Sequence, residues 1–159
     1  MSNSTPKNLA MYQTACKLPM GKLLFSKAVC LQAPYFSTIS PLIRELAPNY
    51  CEVQIKNRRA VHNHLGTVHA IVMCNMAELA GGLMTDVSIP TTHRWIPKGM
   101  TVEYLKKATT DLTARATPLN PNFDWSTAGE FPAEVKVFNT QNDLVFRAVI
   151  AMWVSPKKG

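Results

Sequence analysis

Glu78 is the residue that most directly suggests chemistry. It stands in an otherwise uncharged run of apolar and small residues that covers residues 68–85. An ionised carboxylate in such surroundings is costly unless a partner or a reaction requires it. A carboxylate held in this way can serve as a general base or a nucleophile, or it can be the structural partner of an arginine or of a backbone turn. Glu78 is therefore the first candidate for a functional site.

The run around Glu78 also predicts the element that positions it. Its apolar residues occupy all sides of a helix instead of one stripe, which favours a long helix enclosed by other structure. The first turn of a helix has backbone N–H groups without partners, and those near His69, Ala70 and Ile71 would favour an anion or a developing oxyanion. His69 could instead cap the helix, and Asn63 with the residues after it could simply form a turn.

The remaining sequence predicts helices first and strands afterwards. Residues 21–32 have apolar residues at helical spacing and end before Pro34. A second short helix is predicted from Ser40 to Pro48, with Ser40 as the cap and Pro41 at the first helical position. Strands are then predicted from the alternation of apolar and polar residues, one before the long helix (50–57) and four after it (100–105, 112–117, 133–138 and 144–154). This order defines an α+β protein with an antiparallel sheet.

Length and composition limit the class of protein. A chain of 159 residues, 47% of them hydrophobic, fits one domain. The longest apolar runs are interrupted and are shorter than the roughly 20 residues of a membrane span, and the N-terminal segment lacks the apolar core of a signal peptide. We expect a soluble, cytoplasmic protein that does not associate with a membrane. Four dispersed cysteines without a Cys-x-x-Cys pair indicate reduced, mostly buried thiols.

The net charge of +7 favours anionic partners. No aromatic and basic motif of an RNA-binding domain accompanies it, so a phosphorylated small molecule is favoured over a nucleic acid. The histidines at positions 62, 64, 69 and 93 come without a carboxylate or cysteine that would complete a recognisable ligand set. No metal site is therefore predicted.

A long apolar helix that follows one strand and is wrapped by an antiparallel sheet resembles the hotdog fold, and the local sequence resembles that of its thioesterase members. The residues that carry the resemblance are Asn63, Gly66, His69 and Glu78. In phenylacetate-type and related acyl-coenzyme A thioesterases an Asn and a Gly precede a His at the helix start, and an Asp or Glu follows. Here Asn63 precedes His69 by six residues, and Glu78 follows it by nine. The resemblance implies a single hotdog domain over residues 1–159, with an N-terminal helical extension (1–48) and a hotdog core (49–155).

The resemblance implies that the protein is an acyl-coenzyme A thioesterase. Glu78 would be the general base, or else the nucleophile, and Asn63 would position water or the carbonyl group. The N–H groups at His69 and Ala70 would bind the oxyanion. This chain has His69-Ala70-Ile71 where many members have His-Gly-Gly, and the family's Ser or Thr opposite the carboxylate has no certain counterpart.

Coenzyme A would be part of the substrate, so no separate cofactor is implied. Its phosphates would meet cations at the mouth of the pocket. The candidate cations are Arg58, Arg59, Arg94, Lys98, Lys106 and Lys107.

Helix geometry adds a requirement for two chains. Nine residues at 100° each place His69 and Glu78 on opposite sides of a helix, about 13 Å apart along its axis. They cannot meet within one chain. A two-fold dimer with antiparallel central helices would bring Glu78 of one subunit to the helix start of the other, and hotdog proteins are similar in sharing their sites. We therefore expect a homodimer, with further pairing into tetramers left open.

Two rival functions use the same scaffold. A non-catalytic protein that binds acyl-coenzyme A or an acyl carrier protein would fit the loss of the glycines after His69. A hotdog 3-hydroxyacyl dehydratase would use His69 with a carboxylate for proton transfer. Thiol release from a panel of thioesters and hydration of crotonyl-type thioesters would separate the three functions.

Overall fold

A computed structural model describes residues 5–157 of the chain, and its first part is helical. Helices α1 (Lys7–Ala15) and α2 (Gly21–Gln32) are followed by a 3₁₀ helix over Pro34–Ile39. The Tyr12 ring in α1 packs edge-on against the Phe25 ring in α2, with centroids 5.2 Å apart. The helix predicted over residues 21–32 is confirmed.

The rest of the chain forms one antiparallel sheet with a long helix across it. The strands are β1 (Leu42–Ala47), β2 (Tyr50–Ile55), β3 (His93–Tyr104), β4 (Leu112–Pro118), β5 (Gly129–Glu130), β6 (Ala133–Phe138) and β7 (Leu144–Pro156), and the helix is α3 (Ala70–Ser88). Their order in the sheet is β1-β2-β4-β6-β7-β3, and the short β5 also pairs with β7. The predicted α+β architecture, a sheet around a long central helix with helices added at the N-terminus, is confirmed.

The helix predicted to begin at Ser40 is wrong, because this segment is strand β1. Ser40 itself adopts the left-handed conformation (φ 46°, ψ 60°), whereas a residue that caps a helix start is usually extended. A β-bulge between Ile43 and Glu45 adds a residue to the strand. Because of the bulge, the buried residues Ile43 and Leu46 are three positions apart in sequence. This is the spacing of apolar residues along one side of a helix. The sheet therefore begins at residue 42, inside the segment predicted as a helical extension.

Strand β3 is longer than predicted. It begins at His93 instead of residue 100, and it pairs along its whole length with β7. A second bulge between Pro97 and Gly99 breaks the alternation of side chains in its first half. Its other edge has no neighbouring strand within residues 5–157, so β3 is the open end of the sheet.

The core lies between the sheet and one side of α3. Met76, Leu79, Ala80 and Met84 of this helix are buried. Contrary to the expectation of an enclosed helix, the opposite side is uncovered within the protomer, where the Ile71 side chain is 54% exposed. Among residues 5–157, α3 is the single helix long and apolar enough to cross a membrane. This is contrary to the expectation that the apolar runs are too interrupted for such a span. Of the 18-residue apolar stretch of this helix, 67% is buried, as in the core helix of a globular protein.

The cysteines are all free thiols, but they are less buried than expected. Cys51 is buried in β2, where desolvation raises the pKa of its thiol. Cys16 is exposed, and Cys30 and Cys74 are partly exposed. Cys74 lies on the uncovered side of α3.

Candidate active site

The start of α3 is fixed by His69. This residue is the N-cap, with an extended backbone, and its Nδ1 accepts a hydrogen bond from the Ile71 N–H at 3.1 Å. The His69 N–H donates to the Val61 carbonyl at 2.9 Å. The imidazole thus has the capping role that the sequence left open.

Ala70 differs from its neighbours in having a free N–H group. The N–H groups of His69, Ile71 and Val72 each have an acceptor, whereas no acceptor for the Ala70 N–H lies within the described part of the chain. Ala70 is itself partly exposed. A free donor at the positive end of a 19-residue helix is suited to bind an oxyanion.

Asn63 organises the loop in front of the helix. Its Oδ1 accepts hydrogen bonds from the N–H groups of Leu65 (2.9 Å) and Thr67 (3.2 Å), and its Nδ2 donates to Thr67 Oγ1 at 2.9 Å. Gly66 in the same loop has φ of +73°, a conformation that suits glycine. The Asn63 side chain therefore stabilises the turn. One N–H of its Nδ2 has no hydrogen-bond partner among residues 5–157.

Glu78 lies on the uncovered side of α3. Its side chain is exposed and has neither a hydrogen bond nor an ion pair with any other described residue. Cys74, one turn earlier, is within 3.4 Å of the Tyr104 hydroxyl at the end of β3. This contact raises the pKa of Tyr104. A single protomer therefore presents a carboxylate beside the open edge of the sheet but does not bring it to Ala70.

The predicted phosphate-binding cations are not gathered in one place. Arg58 donates from Nη2 to the Thr38 carbonyl (3.0 Å) and to Ser40 Oγ (3.1 Å), so it fastens the 3₁₀ helix to the turn before α3. Lys106 pairs with Asp143 at 3.1 Å, and Lys98 lies over the Trp153 ring at 4.8 Å.

Of the predicted cations, Lys107 and Arg59 have no hydrogen bond, ion pair or aromatic contact within residues 5–157, and Arg59 is the one beside a cavity. It begins the 3₁₀ turn Arg59–Val61. The turn's other two residues, Ala60 and Val61, line a cavity beside the start of α3.

That cavity has a volume of about 180 Å³ and lies between the 3₁₀ helix, the Arg59 turn and the first turns of α3. Its walls include His69, Ile71 and Asn75. Asn75 was not among the predicted site residues, although it is a second polar residue inside the apolar run. No group of three His, Cys, Asp or Glu side chains in the described ranges is placed to hold a metal ion.

A long helix wrapped by an antiparallel sheet is the hotdog fold, and solved thioesterase structures share it. The thioesterase HI1161 from Haemophilus influenzae matches with a TM-score of 0.72 at 17% identity, over 84% of this chain and 90% of that one. A variant of the thioesterase SAV0944 from Staphylococcus aureus matches with a TM-score of 0.67 at 16% identity, over 77% of this chain and 99% of that one. At these low identities, the structural matches establish a common fold and nothing more.

The chain belongs to the family described as a domain of unknown function, DUF4442, which matches residues 21–154. A structural-genomics protein with a known crystal structure, APC5556, is 47% identical, with a TM-score of 0.82 and coverage of 94% of this chain and 98% of that one. No curated protein matches the chain.

Proposed function

We propose that this protein is an acyl-coenzyme A thioesterase whose active site is shared by two protomers. One observation carries the proposal: Glu78 is a carboxylate without a partner in the described chain, on the one side of an apolar helix that its own protomer leaves uncovered. A second protomer that covered this side would bury the carboxylate, whose charge would then be costly without a partner or a reaction to serve.

The free N–H of Ala70 supplies the other half of the site. It would donate to the thioester oxygen as negative charge develops there, aided by the helix dipole. Glu78 would take a proton from a water molecule, whose oxygen forms the new bond to the carbonyl carbon. The C–S bond then breaks, and the thiolate leaves and gains a proton. Asn63 would hold the water with its remaining N–H.

Helix geometry sets where the two protomers would meet. If two copies of α3 cross antiparallel with the two-fold axis at Cys74, residues four before and four after it are brought opposite each other. These residues are Ala70 and Glu78. The same side of the helix carries the exposed Ile71, which a partner would cover.

The open edge of β3 adjoins this side and would extend the interface. Its first half is protected as edges commonly are, by Pro97, Lys98 and a bulge. Its second half has no such protection, and it carries the exposed side chains of Met100 and Tyr104. Pairing of two β3 strands would continue the sheet across the dimer.

The proposed substrate class is supported by the available cations and by solved thioesterase structures of the same fold. Arg59 would meet a phosphate of coenzyme A, since it is free and next to the cavity, while Lys98 and Lys106 are secondary candidates because each already has a partner. Alanine variants of SAV0944 have been crystallised at a glutamine and at a glutamate. The separation of those two residues in sequence equals that of Asn63 and Glu78, which supports assigning the pair a role here.

The test is thiol release from acyl-coenzyme A by Glu78→Gln. The amide keeps the shape but cannot take a proton, so we expect kcat to fall by about 10²- to 10⁴-fold. Glu45→Gln is the matched control, because Glu45 is exposed on β1 at the other end of the sheet. Full turnover by Glu78→Gln would disprove the proposed role, and binding of acyl-coenzyme A without thiol release by the unmodified protein would favour a binding protein.

A further inference from the structure

The first 44 residues carry charge of one sign. They hold five of the chain's 17 lysines and arginines and none of its 10 aspartates and glutamates, so they supply +5 of the net charge of +7. Three of the cations, Lys17, Lys22 and Lys27, are exposed on α2 or in the turn before it, and their side chains have no partner in the described chain. Asp111 lines a depression beside α2, but it is paired with Lys56 at 2.7 Å. This part of the molecule therefore suits an anionic partner.

Large apolar side chains are exposed among these cations. Five of the 13 exposed large apolar residues of the described chain lie between positions 18 and 35, where Met20 is 71% and Leu31 is 82% exposed. Single exposed apolar residues are ordinary, whereas a cluster of them marks a contact surface. The group that we call the α2 surface consists of Leu18, Met20, Leu24 and Leu31 with the three lysines.

Helix α2 has two sides with different surroundings. Phe25 packs against α1, and the Ser26 hydroxyl accepts a hydrogen bond from strand β1 at 2.8 Å. At 100° per residue, Leu24 and Leu31 lie about 20° apart on the opposite side, and Lys27 lies beside them. The proposed dimer would leave this side exposed, because α2 contacts β1, at the other end of the sheet from β3. Folding thus accounts for the first side of α2 and not for the second.

The turn before α2 holds a methionine in an unfavourable conformation. Met20 has φ of 57° and ψ of 17°, in the left-handed region that is uncommon for such a residue. A β-carbon at Gly21 would overlap the Ala15 carbonyl oxygen, and the Leu18 N–H donates to the same carbonyl at 2.9 Å. The backbone therefore fixes the turn, and the turn presents Leu18 and Met20 to solvent. Strain spent on an exposed apolar side chain points to a role outside folding.

We propose that the α2 surface binds an anionic lipid bilayer. Its leucines and its methionine would enter the boundary between head groups and acyl chains, and its lysines would lie among the phosphates. A nucleic acid would make no use of the exposed leucines. The proposal does not depend on thioester hydrolysis. It replaces the expectation that the protein does not associate with a membrane, which considered spanning segments and not surfaces.

The test is co-sedimentation of the unmodified protein with two kinds of vesicle. One consists of phosphatidylcholine, and the other is an equal mixture of phosphatidylcholine and anionic phosphatidylglycerol. Each lysine near an anionic surface increases partitioning about fivefold, so three lysines should favour the anionic vesicles about 100-fold. The preference should disappear in about 1 M salt, where charges are screened over about 3 Å. Equal binding to both vesicles, or binding to neither, would overturn the inference.

Charge variants separate a local surface from the overall charge. Lys22→Gln with Lys27→Gln should lower partitioning into anionic vesicles about 25-fold. Lys107→Gln with Lys136→Gln is the matched control, because it removes the same charge from positions outside the α2 surface. The control should bind nearly as well as the unmodified protein. Equal losses in the two double variants would show that net charge alone drives binding, and the inference would fail.

Apolar variants test insertion. Leu31→Ser should lower partitioning into anionic vesicles about tenfold, whereas Leu119→Ser, at a leucine that is exposed in the loop after β4, should not change it. The indole introduced by Leu31→Trp should be quenched by lipids brominated in their acyl chains, and that introduced by Leu119→Trp should not, with the fluorescence of the unmodified protein subtracted from both. An unquenched indole at position 31 would contradict insertion.

Stability separates a binding role of Met20 from a structural one. Asparagine tolerates the left-handed conformation, so Met20→Asn should raise the melting temperature while lowering partitioning into anionic vesicles. A lower melting temperature with unchanged partitioning would assign Met20 to folding and contradict the inference.

Sedimentation velocity without lipid tests the other occupants of the surface. Leu31→Ser should sediment as the unmodified protein does. A smaller particle would show that the α2 surface joins two copies of this chain, and the inference would fail. Binding of polyglutamate, without binding of anionic vesicles, would point instead to an acidic protein and would also overturn the inference.

Discussion

The two sides of α3 follow different rules. On the covered side, Leu79 and Ala80 are at most 2% exposed, and the Thr85 hydroxyl is paired within the helix. On the uncovered side, Ile71 is 54% exposed and the Glu78 carboxylate has no partner in the described chain. The covered side has what folding requires. The uncovered side has an exposed apolar surface and a charge without a partner in the described protomer, and a second protomer could contact both.

The two edges of the sheet repeat this contrast. Strand β1 has six residues, contains a bulge and contacts the N-terminal helices α1 and α2. Strand β3 has twelve residues and is exposed along most of its length. Long exposed edges invite pairing with another chain. The N-terminal helices thus protect one end of the sheet, and the other end is left for a partner.

The strongest test of this contrast is to cross-link the uncovered sides. A two-fold axis at Cys74 would place the two Cys74 thiols across packed helices whose axes are about 8–10 Å apart. We expect a short bismaleimide to convert Cys16→Ser protein almost completely to a covalent dimer on a denaturing gel. The exposed Cys16 is removed because it could react between unrelated molecules.

The matched control adds Cys74→Ser to the same background. This double variant should remain monomeric on the gel, since Cys30 and Cys51 lie elsewhere. A cross-linked dimer that persists without Cys74 would show that the chains meet through another surface. Absence of any dimer in solution would remove the shared site altogether.

The second test measures what each side contributes to stability. Leu79→Ala should lower the free energy of unfolding by about 2–5 kcal/mol, because it leaves a cavity in a packed core. Ile71→Ala should cost less than about 0.5 kcal/mol at low protein concentration. Its cost should grow with concentration, since Ile71 would then contact the partner. Equal losses for the two variants in denaturant titrations would contradict the division of the helix into two sides.

Local patterns were sufficient to predict the main elements. The central helix has an apolar run of helical length. Strands β2, β4 and β6, and β7 from Phe146 onward, alternate between buried and less buried residues, and this pattern can be read from neighbouring residues in the sequence. Strand β1 was missed because its bulge replaces the alternation with a helical spacing. The first half of β3 was missed because Pro97 and the bulge between Pro97 and Gly99 interrupt its alternation.

The candidate site was predictable only in part. Spacing and family resemblance singled out Asn63, His69, Ala70 and Glu78, and the capping role of His69 was foreseen as an alternative. The cavity was not foreseen, because it requires the 3₁₀ helix Pro34–Ile39 to lie against α3. The hydrogen bonds from Arg58 to Thr38 and Ser40 that hold it there join residues about twenty apart in the chain. No local pattern reports a contact of that kind.

The third test compares two glutamates, one paired and one free. Partial burial raises the pKa of Glu134, but hydrogen bonds from Arg147 (2.7 Å) and Lys136 outweigh it and hold the pKa below its ordinary value. A carboxylate with a lowered pKa in the folded state stabilises the fold above the unfolded pKa of about 4.3, and the stabilisation is lost as the pH falls through the folded value.

Glu134→Gln should therefore lower the melting temperature by about 2 °C at pH 7, and this difference should vanish near pH 3. At a protein concentration low enough to separate the protomers, Glu78→Gln should leave the melting temperature unchanged at both pH values, because Glu78 has no partner in the described protomer. Thermal unfolding followed by circular dichroism at the two pH values measures both. A pH-dependent loss of stability in Glu78→Gln would mean that this carboxylate serves folding, and the difference between the two sides of α3 would then be one of exposure and not of role.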